Sequence, residues 1–203
     1  MKHWIASLIV VSSVAAAGRA DAQEALPGPG LFEVSIIPGG ATFVTSKDRA
    51  PDFYSYDIGG ALAYNFTRVV GVEGEVAGSL GIEQSLDSFR GLVNDEKPPH
   101  MLSYTGNVVV MAPGHSVVPY VTGGIGGTTL FDREVLGILS SDTFLTGNVG
   151  GGIKWYAAGG RWGLRGDYRF QAVKAKDDAS EFFGREDRYS HRVYGAVVIN
   201  VVR

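Results

Sequence analysis

Glu73 and Glu75 stand two residues apart, and Arg165, Asp167 and Arg169 repeat that spacing. In an extended strand a spacing of two puts side chains on one face, so each set forms a short column of charge. Lys154 and Asn107 fall on the corresponding faces of their own segments. Columns of opposite sign enclosed together must pair and hydrogen-bond, because a buried charge persists only when it is compensated. Such a network can be a static filling, or it can be a gate or a path for ions or protons. Other constellations carry less chemistry. With no cysteine in the chain, disulfides and cysteine-ligated metals are excluded. Gly123 to Gly127 is glycine-rich, but it sits inside a strand pattern with no helix after it, which removes dinucleotide and phosphate-loop readings. Asp177, Asp178, Glu181, Glu186 and Asp187 lack calcium-loop spacing. Lys174, Lys176, Arg185 and Arg188 nearly balance them, as in a solvated loop. Asn65-Phe66-Thr67 matches a glycosylation acceptor by coincidence, since it falls in a tight turn. No metal, cofactor or catalytic site is expected.

Composition narrows the setting in which these columns must be held. The 203 residues carry 18 basic and 21 acidic side chains, a formal net of -3, with 45% hydrophobic and 19% charged content. That hydrophobic share argues against disorder, and the absence of a basic excess argues against nucleic acid as a partner. Glycine is the outlier at 29 residues, about twice its usual frequency of roughly 7%. Residues 1–22 read as a secretory signal: Lys2 at the start, an apolar run from Ile5 to Ala17, then Ala20-Asp21-Ala22 as a cleavage site. Losing Lys2, Arg19 and Asp21 would leave 16 basic and 20 acidic residues, a net of -4. Residues 23–30 are a Pro/Gly-punctuated lead-in, and nothing later contains the 18 or more consecutive apolar residues of a spanning helix.

From residue 31 onward the chain alternates. Tyr54, Tyr56, Ile58, Leu62 and Tyr64 occupy one face of a strand and Ser55, Asp57, Ala61, Ala63 and Asn65 the other. The period of two recurs over about 31–44, 54–65, 70–80, 102–111, 117–129, 142–156, 162–173 and 189–202, which predicts eight strands. No sustained helical period appears, and one domain is expected over 31–203. Connections after the second, fourth and sixth strands are short, while those after the first, third, fifth and seventh are long. An even number of strands with short turns on one rim and long loops on the other predicts an up-and-down antiparallel transmembrane β-barrel, its short turns periplasmic and its long loops extracellular. In a closed ring of eight the third strand faces the seventh. Glu73 and Glu75 then share a slab of the lumen with Arg165, Asp167 and Arg169, and Lys154 points into it.

The apolar face is expected to point outward. Tyr54, Tyr56, Tyr104, Tyr168, Phe170 and Tyr189 would form one aromatic girdle and Tyr64, Trp155 and Trp162 the other. An eight-stranded interior is only wide enough for ordinary side chains to fill, which favours a lumen plugged by the network of Glu73, Glu75, Lys154, Arg165, Asp167 and Arg169. Glycine then divides by face. Gly59, Gly71, Gly124, Gly126, Gly150, Gly152 and Gly163 are expected inward, making room for long charged chains and for curvature. Gly60, Gly74, Gly106, Gly147, Gly151, Gly166 and Gly195 are expected outward. On this basis Gly150→Leu or Gly152→Leu should hinder folding more than Gly151→Leu.

Phe32-Glu33-Val34, Gly71-Val72-Glu73-Gly74-Glu75, the run Pro119 to Gly126, Gly150 to Trp155 and Trp162 to Phe170 together resemble the OmpA/OmpX-type small outer-membrane β-barrel proteins, the eight-stranded barrel domain of Gram-negative bacteria. The resemblance covers residues 31–203, and it departs at the terminus. Such barrels usually end in an aromatic residue read by the assembly machinery, whereas Ile199, Val201 and Arg203 stand in that register here. It implies an exported protein of the cell outer membrane, in contact with outer-membrane lipid and lipopolysaccharide and inserted by the barrel assembly machinery. A structural or surface-interaction role follows, in adhesion or envelope integrity, with the long loops facing an extracellular ligand. A narrow, porin-like channel is the alternative, ahead of a soluble lipocalin-like binder. Lipid A-modifying barrels of similar size use His with Ser and an acidic residue near the outer rim. His100 and His115 fall outside the strands, and Ser190 and His191 fall on opposite faces by parity, so no enzyme is expected.

Overall fold

Alternation over eight stretches leaves each strand with one face for a partner medium and one for a shared interior, and closing the sheet satisfies both. A computed structural model describes residues 27–46, 52–86, 94–131, 141–176 and 187–201. The expected signal segment, Asp177, Asp178, Glu181, Glu186 and Arg203 lie outside the described residues. The elements are β1 (Leu31–Ser46), β2 (Phe53–Asn65), β3 (Val70–Gly81), β4 (Gln84–Leu86), β5 (Asn94–Glu96), β6 (Met101–Met111), β7 (Val117–Leu130), β8 (Asp142–Tyr156), β9 (Trp162–Val173) and β10 (Arg188–Val201). Eight of them close in the order β1-β10-β9-β8-β7-β6-β3-β2, every neighbour antiparallel. β1 and β10 complete the ring, from Phe32 opposite Val201 to Ser46 opposite Arg188. The pair β4–β5 is a separate two-stranded extension of the β3–β6 connection. Its sequences, Gln84-Ser85-Leu86 and Asn94-Asp95-Glu96, have no apolar alternation, so the strand pattern does not announce them.

Short turns join β2 to β3, β6 to β7 and β8 to β9. In the first, the Thr67 hydroxyl accepts the backbone N–H groups of Val69 and Val70 at 3.1 and 2.9 Å. The β8–β9 turn uses Gly159 and Gly160 at φ of 85° and 66°, a region that side chains with a Cβ rarely adopt. The Asn200 amide caps it by donating to the Gly160 carbonyl at 2.6 Å. A twelve-residue strand such as β9 runs roughly 40 Å, and at a tilt near 40° it spans about 30 Å, enough for an apolar band of about 25 Å. That band is present: Ile125, Leu145 and Val121 are 71%, 62% and 61% exposed, in company with valine, isoleucine and leucine from every barrel strand. No soluble monomer presents so wide an apolar surface without a partner, and the closed ring leaves no unpaired strand edge within it.

The inward face is not polar along its whole length, as the alternation alone suggests. At the long-loop end Val44, Phe53, Met101, Leu130, Phe144 and Val173 pack together. At the short-turn end Val109, Met111, Val118, Tyr120, Tyr156 and Val198 do the same. The charged middle lies between two apolar lids.

Curvature explains the inward glycines more directly than side-chain room does. A Cβ added at Gly124, Gly126, Gly150 or Gly152 would strike the backbone carbonyl of Gly106, Tyr104, Tyr168 or Gly166 on the adjoining strand. The coiled wall itself fills the space. Outward Gly74, Gly106, Gly147 and Gly166 have no atom within 4 Å of such a Cβ. Gly151 is a poor control, because its added Cβ would sit 2.7 Å from the Tyr120 carbonyl oxygen. The informative comparison is therefore Gly150→Ala against Gly166→Ala. Refolding into phospholipid vesicles, followed by the heat-dependent shift in gel migration, should show a severe loss of folded yield for the first and little change for the second.

Candidate functional site

Strand parity delivers nine ionisable side chains to the middle of the barrel and a tenth, Arg188, to its long-loop end. Buried and facing inward are Glu33, Asp57, Glu73, Glu75 and Asp167, with Lys154, Arg165, Arg169, Arg188 and Arg192: five acids and five bases among the described residues. Their formal charges cancel. Arg169 is 0% exposed and Arg165 2%, so hydrogen bonding must replace the water that each charge has lost.

The pairing is dense. Arg165 of β9 reaches across the lumen to Glu73 of β3 with both terminal nitrogens, the longer contact at 3.3 Å. It also donates to Asp167 at 2.6 Å and to the Tyr120 hydroxyl at 2.7 Å. Its guanidinium lies 4.9 Å from the Tyr120 ring and 5.7 Å from the Tyr194 ring, so both aromatic faces hold the cation. Arg169 donates to Glu73 at 2.7 Å, to Asp167 at 3.0 Å and to Asn148 at 3.4 Å, and stands 3.3 Å from Glu75. Asn148 in turn donates to Asn107 at 2.8 Å. Tyr120 donates to Asp167. Arginine suits this place because its planar fork satisfies several carboxylates at once.

Three further groups enlarge the predicted set. Arg192 pairs with Glu75 and, at 3.3 Å, with Asp57. Asp57 also accepts the hydroxyls of Thr42 and Ser79 at 2.6 and 2.5 Å. Tyr194 donates to Glu75 at 2.7 Å. Lys154 stands apart from the slab expected for it. It pairs with Glu33, which also accepts from the Tyr156 hydroxyl, nearer the short-turn end. Its link to the main network is the Tyr120 ring, 5.6 Å from the ammonium.

Asp57 and Arg192 obey the same parity that singles out Glu73: Asp57 stands on the polar face of its strand, and Arg192 follows buried Ser190 by two residues on the inward face of β10. Glu33 is harder to see. β1 shifts register against both neighbours around Pro38, so one phase cannot hold from Glu33 to Thr42 although both point inward. Arg188, grouped from sequence with the solvated loop, opens β10 and is buried facing the lumen. Lys176 of that loop contacts Asp142 at 3.3 Å, and Asp187 accepts the Ala175 N–H at 2.8 Å.

The girdle residues all lie on the outer face. At the short-turn rim Phe32, Tyr64 and Phe66 form a chain of ring contacts at 4.7 and 5.1 Å, and Trp155 meets Trp162 edge-on at 5.9 Å. At the long-loop rim Phe170 stacks on Tyr189 at 5.8 Å and Tyr54 approaches Phe43 at 6.5 Å. Tyr104 is exposed three residues below the upper end of β6. Tyr168 departs from the expectation, standing at mid-wall six residues above Trp162. A hydroxyl at that depth needs a partner, and His191 Nδ1 lies 2.8 Å away. The Tyr56 hydroxyl donates to the Pro38 carbonyl at 2.7 Å. Ser190 faces the lumen and bonds Gln171 at 3.1 Å, on the opposite face from His191. His100 accepts the Gly81 N–H at 3.1 Å, and His115 is exposed in the β6–β7 turn.

Comparison with known proteins agrees with this architecture. The family model described as the outer membrane protein beta-barrel domain matches residues 6–196. Among solved structures, Neisserial surface protein A is similar with a TM-score of 0.58 and 10% identity over 84% of this chain and 96% of its own. The attachment invasion locus protein Ail of Yersinia pestis, in complex with the heparin analogue sucrose octasulfate, gives 0.54 and 16% over 85% and 99%. The N-terminal barrel of Pseudomonas aeruginosa OprF gives 0.52 and 13% over 86% and 99%. No match is found among curated protein sequences.

Removing one member of a buried pair strands the other. Asp167→Ala should lower unfolding stability by about 3–5 kcal/mol, measured by urea titration in phospholipid vesicles. Lys176→Ala, at a half-exposed rim contact, should change it by about 0–1 kcal/mol.

Proposed function

The chain belongs to the outer membrane protein beta-barrel domain family and resides in the outer membrane, and from that premise we propose that it works as a closed barrel whose business is done at its surface. Its lumen is a plug, its wall anchors it in lipid, and its long loops meet the outside. The observation that carries this reading is the layering of the interior. An ion path needs a continuous wet column, and this lumen has a mutually bonded network of carboxylates and cations closed above by the lid containing Phe53, Leu130 and Phe144 and below by the one containing Val118, Tyr156 and Val198. No catalytic role is assigned. Ser190 and His191 lie on opposite faces of the wall, and structural or adhesive service fits the fold without chemistry.

Charge bears on the kind of partner. The four long connections, 47–52, 82–100, 131–141 and 174–187, contain thirteen acidic and eight basic residues, a net of -5. A loop crown of that sign repels polyanions at long range, so a polysulfated sugar such as the sucrose octasulfate seen with Ail is disfavoured. A neutral or basic surface is the better match.

Two measurements test the proposal. In planar bilayers the wild-type barrel should give no steady single-channel openings, and Glu73→Gln should give none either; steady openings would establish the channel instead. Reconstituted in zwitterionic vesicles, the barrel should pass through immobilised heparin at low ionic strength, and salt-sensitive retention would contradict the assignment of partner charge.

A further inference from the structure

The ladder between β3 and β6 stops at Ser79 opposite Met101. The chain enters β6 through Pro98 and Pro99, both buried, and proline has no N–H with which to extend a ladder. The last residue of β3 is nonetheless held. Gly81 donates its backbone N–H to Nδ1 of His100 at 3.1 Å, and the incoming chain lies so close that a Cβ on Gly81 would strike the Pro98 carbonyl oxygen. The His100 carbonyl in turn accepts the N–H of Phe131, just past β7, at 3.0 Å. One residue thus ties the upper ends of three strands together at the root of the β3–β6 connection. A second tie is Gln84 of β4. Its side-chain amide accepts the Tyr54 N–H at 3.0 Å and donates to the Tyr54 carbonyl at 2.8 Å, doing for β2 what a neighbouring strand does lower down.

We propose that His100 is an acid-released clasp on the loop crown. The two ties differ in chemistry, because an amide keeps its donor and acceptor across the physiological range whereas an imidazole changes charge between about pH 5 and 8. A backbone N–H can only donate, so the Gly81 bond exists only while Nδ1 is bare and the ring proton sits on Nε2. In the imidazolium both ring nitrogens are donors. Protonation therefore sets two N–H groups against each other and unties the end of β3 from the start of β6, while the Gln84 tie and the Phe131 bond persist. His100 is exposed, within reach of outside protons. The charged groups on the segments around it are Asp52 before β2, Glu83 after β3 and Lys97 before β6, and His100 forms no ion pair among the described residues. No fixed partner charge holds the ring in one state. The connection so released carries the β4–β5 ribbon, and the clasp depends on neither the sealed lumen nor the charge of any partner.

Amide hydrogen exchange of the isotope-labelled barrel in zwitterionic nanodiscs, read residue by residue by NMR at about pH 8 and about pH 5, the two ends of the histidine range, tests this. After correction for the intrinsic effect of pH on exchange, Gly81 should lose about fivefold of its protection at the acid end, the size of one net hydrogen bond. Phe131, whose acceptor is the backbone carbonyl of the same histidine, and Tyr54, held by Gln84, should keep theirs. His100→Gln supplies an acceptor that does not titrate and should hold Gly81 equally at both ends, whereas His100→Phe supplies none and should leave it weakly protected at both. Heat-dependent gel migration of the same samples reports separately that each variant is a folded barrel. Equal protection of Gly81 at both ends in wild type, a pH response that survives in either variant, or loss of Phe131 and Tyr54 protection along with that of Gly81 would each overturn the proposal.

Discussion

Five carboxylates and four cations enclosed in the middle of a narrow barrel have no water to fall back on, and the rest of the structure is arranged around keeping them paired. Each isolated charge would carry a desolvation cost of several kcal/mol. The cost is offset because each carboxylate meets a cation at matching depth, across the lumen, on a nearby strand or on its own strand. Glu73 and Glu75 on β3 face Arg165 and Arg169 on β9, and Asp57 with Arg192 extends the network across the closure of the ring. Register therefore matters throughout. A slip of one residue in any of these strands would turn its charges into lipid.

Curvature is the second demand, and it follows from the first. Ion pairs that cross the lumen require a small barrel, and a small barrel coils its sheet until inward positions run into neighbouring carbonyls. Glycine at 124, 126, 150 and 152 yields to the backbone, not to the arginines. The apolar lids at either end then keep water from competing for the charges, which makes Phe53 or Val198 as much a part of the network as the residues that carry charge.

Most of this is legible along the chain because a strand's side-chain period is two and the barrel's two faces differ in chemistry. The eight strands, the sorting of turns by rim, the outward aromatics and the confrontation of Glu73 with Arg165 all follow from that alternation. What escapes it is local or cooperative. The Pro38 bulge reverses parity within β1 and hides Glu33. The polar pair β4–β5 has no apolar face to reveal it. Lys154 obeys parity, yet its partner is decided by depth, which counting from the turns does not resolve. The lids take only one or two residues from a strand, visible only when six strands at the long-loop end, or four at the short-turn end, are brought together.

In the membrane the outcome is a wall that presents apolar side chains outward and a core that holds opposite strands together by charge. The claim at the centre is that Glu73 and Arg165 stabilise the barrel through each other. A double-mutant cycle with Glu73→Gln and Arg165→Gln, read by urea unfolding in phospholipid vesicles, measures that coupling directly. The network account predicts a coupling energy of about 1–3 kcal/mol, the double variant losing less than the two single losses combined. Additivity to within about 0.5 kcal/mol would contradict it.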